Sequence, residues 1–236
     1  MVLVLKNYII LYSFIMNEIS KRKFLQKQFE LEHIVAKKFY LASSRFTNDT
    51  WMENRKFCQD YKKKAAYCCP IPISMKIPLD VLIGVLEMNN DTNCIIGIGL
   101  IYNRTVHKTW IYENGNYNSN TYIGKRRIDR SEMTESEEKI MQILDHYCFK
   151  GNGHLKRGQG ITLFPVKYLF DSFEKDIHIL QEIKKMFNSR NPKLKKETEE
   201  KELGEREKEL GEREKELGER EKESDVAKEK EKEKEN

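Results

Sequence analysis

Two apolar, β-rich runs, 81–88 and 94–102, flank the turn-forming residues Asn89-Asn90-Asp91-Thr92, and nothing else in the chain restricts its fold as much. Runs of this length on either side of a short polar turn predict a β-hairpin. Nearly every position in them is apolar, so both strands are expected deep in a sheet and not at its edge. Gly84, Gly97 and Gly99 interrupt the runs, which predicts bulges or the close approach of another backbone.

Around the hairpin the periodicity changes. Residues 17–41 read as a basic amphipathic helix, with Leu25, Phe29, Ile34 and Val35 near helical spacing and Lys21, Arg22, Lys23 and Lys27 on the solvated side. It runs into a short strand at 38–43. Asn48 or Asp49 can cap a helix through about Tyr61 that presents Trp51, Phe57 and Cys58. Pro70, Pro72 and Pro78 keep the next stretch extended. Residues 113–120 read as a loop, and 122–128 as another strand with Lys125, Arg126, Arg127 and Arg130 at its exit. Thr134 and Glu137 form a capping box for a helix that ends near Gly151 and carries Ile140, Met141, Leu144 and Cys148 on one face. A Gly-rich basic loop, 151–160, then leads to an apolar run at 161–164 and one or two short helices before residue 187.

Charge divides the chain. The 236 residues hold 43 Lys/Arg and 38 Asp/Glu, a net charge of +5. From Lys193 onward the count is 14 basic and 18 acidic residues, leaving 29 and 20 in the first 192. The tail repeats Leu-Gly-Glu-Arg-Glu-Lys-Glu from Leu203, Leu210 and Leu217. A coiled coil needs two apolar positions per heptad and this repeat has one, followed by Gly. Residues 193–236 are therefore expected as a disordered tail or a fraying charged helix. The first 192 residues can bury a core, so wholesale disorder, collagen-like and polytopic membrane classes are excluded. The apolar segment 1–15 is interrupted by Lys6 and Asn7 and falls short of the roughly 20 residues that cross a bilayer. No stable membrane insertion is expected, and Met16 offers an alternative start. The five cysteines include an adjacent pair and no CxxC, which reads as reduced thiols in an intracellular protein and not as a disulfide framework or zinc site.

Three constellations can carry function. Lys125, Arg126, Arg127 and Arg130 precede the 134–150 helix, and His154, Lys156 and Arg157 follow it. Phosphate binding needs cations and free backbone N–H groups, and the four glycines of 151–160 supply the second. The alternative is a pair of solvated turns with incidental charge. The loop fits neither a Walker A pattern nor a dinucleotide fingerprint. The second constellation is aromatic: Trp51, Trp110, Tyr102, Tyr112, Tyr117 and Tyr122 lie beside strand ends or loops. Bases taken out of a stack are held on aromatic faces, although core and rim packing uses the same residues. The third is catalytic. His33, His107, His146 and His154 sit in no HExxH or zinc-deaminase setting, and no GxSxG elbow occurs. Glu87 and Asp91 could pair with His154 as acid and base, but spacing does not require it. No catalytic residue, metal ligand or cofactor is assigned.

The order strand (38–43), Trp-bearing helix (49–61), hairpin VLEMNNDTNCIIGIGLI and strand with basic exit resembles the PUA-like superfamily, the EVE and YTH members above all, over about residues 38–130. Ile96-Gly97-Ile98-Gly99 is similar to the second hairpin strand of the EVE pattern, from which the long 103–121 loop departs. The stretches VLEMNNDTN, GIGLI, KRRIDR and GHLKRGQGIT also resemble uncharacterised proteins of large nucleocytoplasmic DNA viruses, over about 38–187. The resemblance implies a small β-barrel that binds RNA or DNA, with a modified base as one candidate ligand, without chemistry. Trp51 is the one family residue it carries over. A viral origin would place the chain in the host cytoplasm or nucleus.

The sequence thus predicts an α+β protein. An N-terminal apolar segment and basic helix (1–37) precede a globular domain (38–192) built on a small, mixed, barrel-like sheet flanked by helices, and a charged tail (193–236) follows. The expected function is non-catalytic nucleic-acid binding: Lys125, Arg126, Arg127, Arg130, His154, Lys156 and Arg157 meet phosphates, and Trp51, Trp110 and Tyr112 meet bases. The alternatives are a viral protein-interaction factor that docks a protein partner through its tail, and an uncharacterised nuclease or hydrolase.

Overall fold

The hairpin sits at the centre of a mixed five-stranded sheet. The computed structural model describes residues 18–107 and 109–191; segment 1–17, Lys108 and the repeat tail lie outside the described residues, along with the expectations that fall on them. A helix over residues 18–29 (α1), closed by a π-helical turn at Glu30–Val35, leads to strand β1 (Phe39–Phe46), helix α2 (Asn48–Asp60) and strands β2 (Ala65–Cys69), β3 (Leu82–Asn89) and β4 (Cys94–Tyr102). After a long loop with a 3-10 turn at Gly115–Tyr117 come β5 (Asn120–Gly124), β6 (Arg126–Asp129), α3 (Glu135–Phe149), β7 (Thr162–Leu163), α4 (Val166–Phe173) and α5 (Ile179–Arg190). The body ends at Phe187, and of the second unit, which begins at Asn188, only 188–191 is described.

The sheet runs β6-β4-β3-β1-β7. β3 and β4 are antiparallel from Leu82↔Tyr102 to Asn89↔Cys94, as the hairpin predicts, and β1 lies parallel to β3 from Phe39↔Leu82 to Phe46↔Asn89. The expected 122–128 strand is broken at Lys125. Its first half, β5, pairs with β2, and its second half, β6, pairs with β4, so the break turns the sheet through a corner. Two glycines allow β2 and β5 to come close to β4: a Cβ on Gly124 would strike the Leu100 carbonyl, and one on Gly99 the Tyr67 hydroxyl.

The barrel-like expectation is corrected at the opposite seam. The sheet does not close into a barrel: among the described residues β2 and β5 form a separate two-stranded sheet, and no ladder joins β2 to β7. β7 is two residues long and Pro70, directly after β2, has no N–H to donate. The turn at Gly158–Gly160 fills this gap instead, and a Cβ on Gly160 would sit 2.9 Å from the Cβ of Cys69.

Alternation assigns the two faces of β3. Gly84, Leu86 and Met88 point outward, where the space above Gly84 is filled by Phe39 and by Ile183 of α5. Ile83, Val85 and Glu87 point inward, towards β2 and α2. The predicted bulge falls opposite Glu87/Met88, leaving Ile96 without a partner. α3 buries Met141, Leu144 and Cys148, and its N-terminus carries the predicted capping box between Thr134 and Glu137. The α2 cap is Thr47, one residue before the expected position, and Thr50 completes its box. Asn48 instead accepts from the Asn89 side chain and donates its N–H to Asp91. α1 is packed onto the body and is not a separate N-terminal segment: Phe29 meets Phe170 and Phe173, and Arg22 bridges Asp171 of α4 and Glu174 at its C-cap at 2.8 and 2.6 Å. Among the described residues no helix is long and apolar enough to cross a membrane.

Candidate functional site

The sheet's inner face holds a charged network where an apolar core would be expected. Glu87 is 0 % exposed, and its carboxylate accepts from the Arg127 guanidinium at 2.8 Å and from the Tyr67 hydroxyl at 2.8 Å. Arg127 also donates to Asp129 at 2.8 Å. Burial works against the Arg127 charge, but Glu87 beside it outweighs that penalty and holds the guanidinium above its ordinary value. Gly97 and Gly99 make room for these groups; a Cβ on Gly97 would lie 2.6 Å from Arg127 and 2.7 Å from Glu87. The Ile-Gly-Ile-Gly pattern therefore makes room both for buried side chains and for a neighbouring backbone, since the same Cβ on Gly97 would lie 2.8 Å from the Ile128 carbonyl.

This network takes several expected ligand contacts for internal use. Arg127 does not reach a phosphate, because Glu87 and Asp129 hold it. Trp51 packs edge-on against Phe46 and carries the guanidinium groups of Arg55 and Arg127 over its ring at 4.4 and 5.1 Å, which occupies it as a base platform. Arg130 ties β4 to α3: it bonds Glu138, Asp145 and the Ile95 carbonyl. Its position is structural, and Glu138 is in turn held below the usual carboxylate range by that hydrogen bond.

Arg127 and Arg130 reach the Ile96 and Ile95 carbonyls near the hairpin turn but are held there by acids, and Lys125 and Arg126 do not converge with the second run. Arg126 pairs with Leu100, whereas the Lys156 ammonium is bonded to Asn93 at the hairpin turn. Seven residues of strand separate those points, roughly 23 Å at about 3.3 Å per residue. Lys125 and Arg126 thus flank a different part of the sheet from Lys156 and Arg157. The acid–base trio is also dissolved: Glu87 is paired with Arg127, Asp91 caps the Asn48 N–H, and His154 lies in the 151–160 loop with a buried, unpartnered Nδ1. His146 is exposed on α3. No cluster of three or more metal-ligating side chains occurs among the described residues.

What the fold does assemble is a pocket of about 180 Å³ at the open seam of the sheet. An apolar cavity of about 150 Å³ takes up benzene, so there is room here for one aromatic ring. The end of β1 contributes Ser44 and Arg45, and the start of α2 contributes Thr47 and Thr50. Cys68 and Pro70 come from the end of β2, and Gly158, Gln159 and Gly160 from the loop before β7. Tyr112 and Tyr117 of the long loop complete the wall, their rings edge to face with centroids 6.1 Å apart. Tyr112 is buried and its hydroxyl accepts from Asn54, which also bonds the Ala66 carbonyl, so this wall is fixed to α2 and β2. Asn118 holds the loop's shape by accepting from the N–H groups of Ile111 and Tyr112. Trp110, on the same loop, is 63 % exposed and lies over Gly115. Asn90 also lines the pocket; its amide nitrogen donates to the Lys156 carbonyl, which ties the 154–157 basic run to this rim.

Of the residues expected from sequence, then, the structure places Tyr112, Lys156 and Arg157 at or beside one pocket. Tyr117, an expected aromatic candidate, lines it as well. Arg45, Thr47 and Thr50 were missed, since one arginine and two threonines beside an apolar run give no signal alone.

All five cysteines are free. Burial pushes the Cys69 thiol up to about 11 and that of Cys148 up to about 12, which leaves little thiolate to react. Cys94 is the one cysteine that is not buried. Iodoacetamide at pH 8 is expected to alkylate Cys94 first in the native protein and all five only after denaturation; mass spectrometry of the peptides reads the order.

Comparison with known proteins finds no match: no family model, no curated protein and no solved structure resembles the chain significantly.

Proposed function

We propose that this protein is a non-catalytic nucleic-acid-binding module that seats one base of a single strand in the seam pocket. The observation that carries the reading is a ring-sized opening with two tyrosines in its wall and the 154–157 basic run tied to its rim. A base in such a site stacks on an aromatic face while cations neutralise the flanking backbone. Tyr117 offers the half-buried ring and Tyr112 the fixed one. Trp110 presents an exposed indole for a neighbouring base, and Lys156 and Arg157 lie on the strand's path. A PUA-like, EVE- or YTH-like ancestry and a viral source belong to this proposal, and a modified base is a candidate occupant. The protein-docking alternative rests on the tail, outside the described residues.

Filter binding of labelled single-stranded RNA and DNA at two salt concentrations tests the reading. Affinity should fall steeply with salt, as phosphate contacts require. Tyr117→Ala should weaken binding by about 5- to 150-fold, the range for loss of one base–aromatic stack of about 1–3 kcal/mol. Absence of binding at low salt, or an unchanged affinity in Tyr117→Ala, would refute it.

A further inference from the structure

Among the described residues Arg45 is a positive charge without a carboxylate counterion. Its Nε donates to the Leu155 carbonyl at 2.6 Å and one Nη to Thr162 Oγ1 at 2.8 Å, and the other Nη reaches the Gly160 carbonyl only at 3.5 Å. All three acceptors are neutral. A guanidinium has five N–H groups, so donors remain after these bonds, and the two short ones fix the plane in which they point. Burial depresses its ordinary value and no carboxylate among the described residues offsets this. Arg127 and Arg130 differ, since each is held by acids.

The pocket wall beside Arg45 is of matching character. Gly158 and Gly160 have φ of +129° and +68°, conformations that side-chain-bearing residues rarely adopt. A Cβ on Gly158 would lie 3.4 Å from the Arg45 guanidinium carbon, so the turn faces the cation with room for no more than a small group between them. Among the described residues the N–H groups of Gly158, Gln159 and Gly160 donate to no protein acceptor. Successive free N–H groups beside a cation form an anion-binding concavity.

We propose that Arg45 and the Gly158–Gly160 turn bind a phosphoryl group of the nucleotide whose base occupies the pocket, which makes Arg45 a backbone-contacting residue and not a base reader. This inference rests on the single-strand reading above. It extends it by assigning the pocket a nucleotide with its phosphate instead of a bare ring.

The experiment has two arms. In the first, fluorescence anisotropy measures the affinity of the full chain and of Arg45→Gln for labelled single strands of each homopolymer at several salt concentrations. Loss of one phosphate contact should reduce the log–log salt slope by about 0.7 and weaken all sequences alike. A slope that is unchanged while preference among bases shifts would overturn the proposal in favour of a base-edge contact. No change in either quantity would overturn it in favour of a purely structural arginine. In the second arm, inorganic phosphate is titrated into the wild-type chain, which avoids any folding defect of the variant, and the amide resonances of Gly158, Gln159 and Gly160 are followed. Saturable shifts confined to these amides support the site, and their absence overturns it. If phosphate shifts these amides but no strand binds, the single-strand reading fails while the anion site stands.

Discussion

Glu87→Ala is expected to destabilise the protein by about 3–5 kcal/mol, the range for removing one partner of a buried ion pair. The cost comes from what is left behind. Arg127 would keep its charge beside Trp51 with only the half-exposed Asp129 as counterion, and the buried Tyr67 hydroxyl would lose its acceptor. Replacing both charges, as in Glu87→Met with Arg127→Met, should recover most of the loss, because a well-packed apolar pair avoids the desolvation of both ions. Urea denaturation of the single and double variants measures both effects. A single-variant loss below about 1 kcal/mol would mean that the pair is hydrated and contributes little.

The second large effect lies at Gly124. A Cβ there would meet the carbonyl of Leu100, a backbone atom that cannot swing aside, and would also crowd Ala65 and Ile101. Overpacking of this kind costs about 1–3 kcal/mol, occasionally more, and an immovable neighbour puts Gly124→Ala at about 3. In a domain of this size that corresponds to a fall in Tm of roughly 6–12 °C. Gly84→Ala is the control. Its nearest neighbours are the ends of Phe39 and Leu41 side chains, at 3.3 and 3.5 Å, which can yield a little. Thermal unfolding of the two variants should separate them clearly, and equal shifts would contradict the packing of β5 on β4.

Which elements were legible in the sequence follows from where their signals lay. The hairpin and the α3 capping box are local patterns, complete within about a dozen residues, and they form where the sequence predicts, while the bulge falls at Ile96, next to Gly97. β2 gave no such pattern. All five of its residues are buried, so Ala-Ala-Tyr-Cys-Cys shows no alternation of apolar and polar positions. The break at Lys125 is equally silent, because one exposed lysine inside a strand-like run does not reveal that its two halves pair with different partners.

The site was harder to read for a related reason. A charged residue looks the same in sequence whether water or a buried acid surrounds it. Beside its near neighbour Asp129, Arg127 finds its buried acid Glu87 40 positions away, and Arg130 finds acids 8 and 15 positions away, on elements that only the fold brings near. Tyr112 was recognisable as an aromatic on a loop. Its partner across the pocket, the β1–α2 junction with Arg45 and Thr47, is far off in the chain and carries no motif.

The parallel pairing of β1 with β3 bears on how the polypeptide is made. Both ladder neighbours of β1 lie downstream: Phe39 aligns with Leu82, and Ala42 with Leu163. A nascent chain emerging from the ribosome therefore carries β1 with both edges unsatisfied until β3 has been synthesised, and with one unsatisfied edge until β7 follows near the end of the body. Such a strand is a template for pairing with other chains, and α2, next to emerge, is the first element available to shield it.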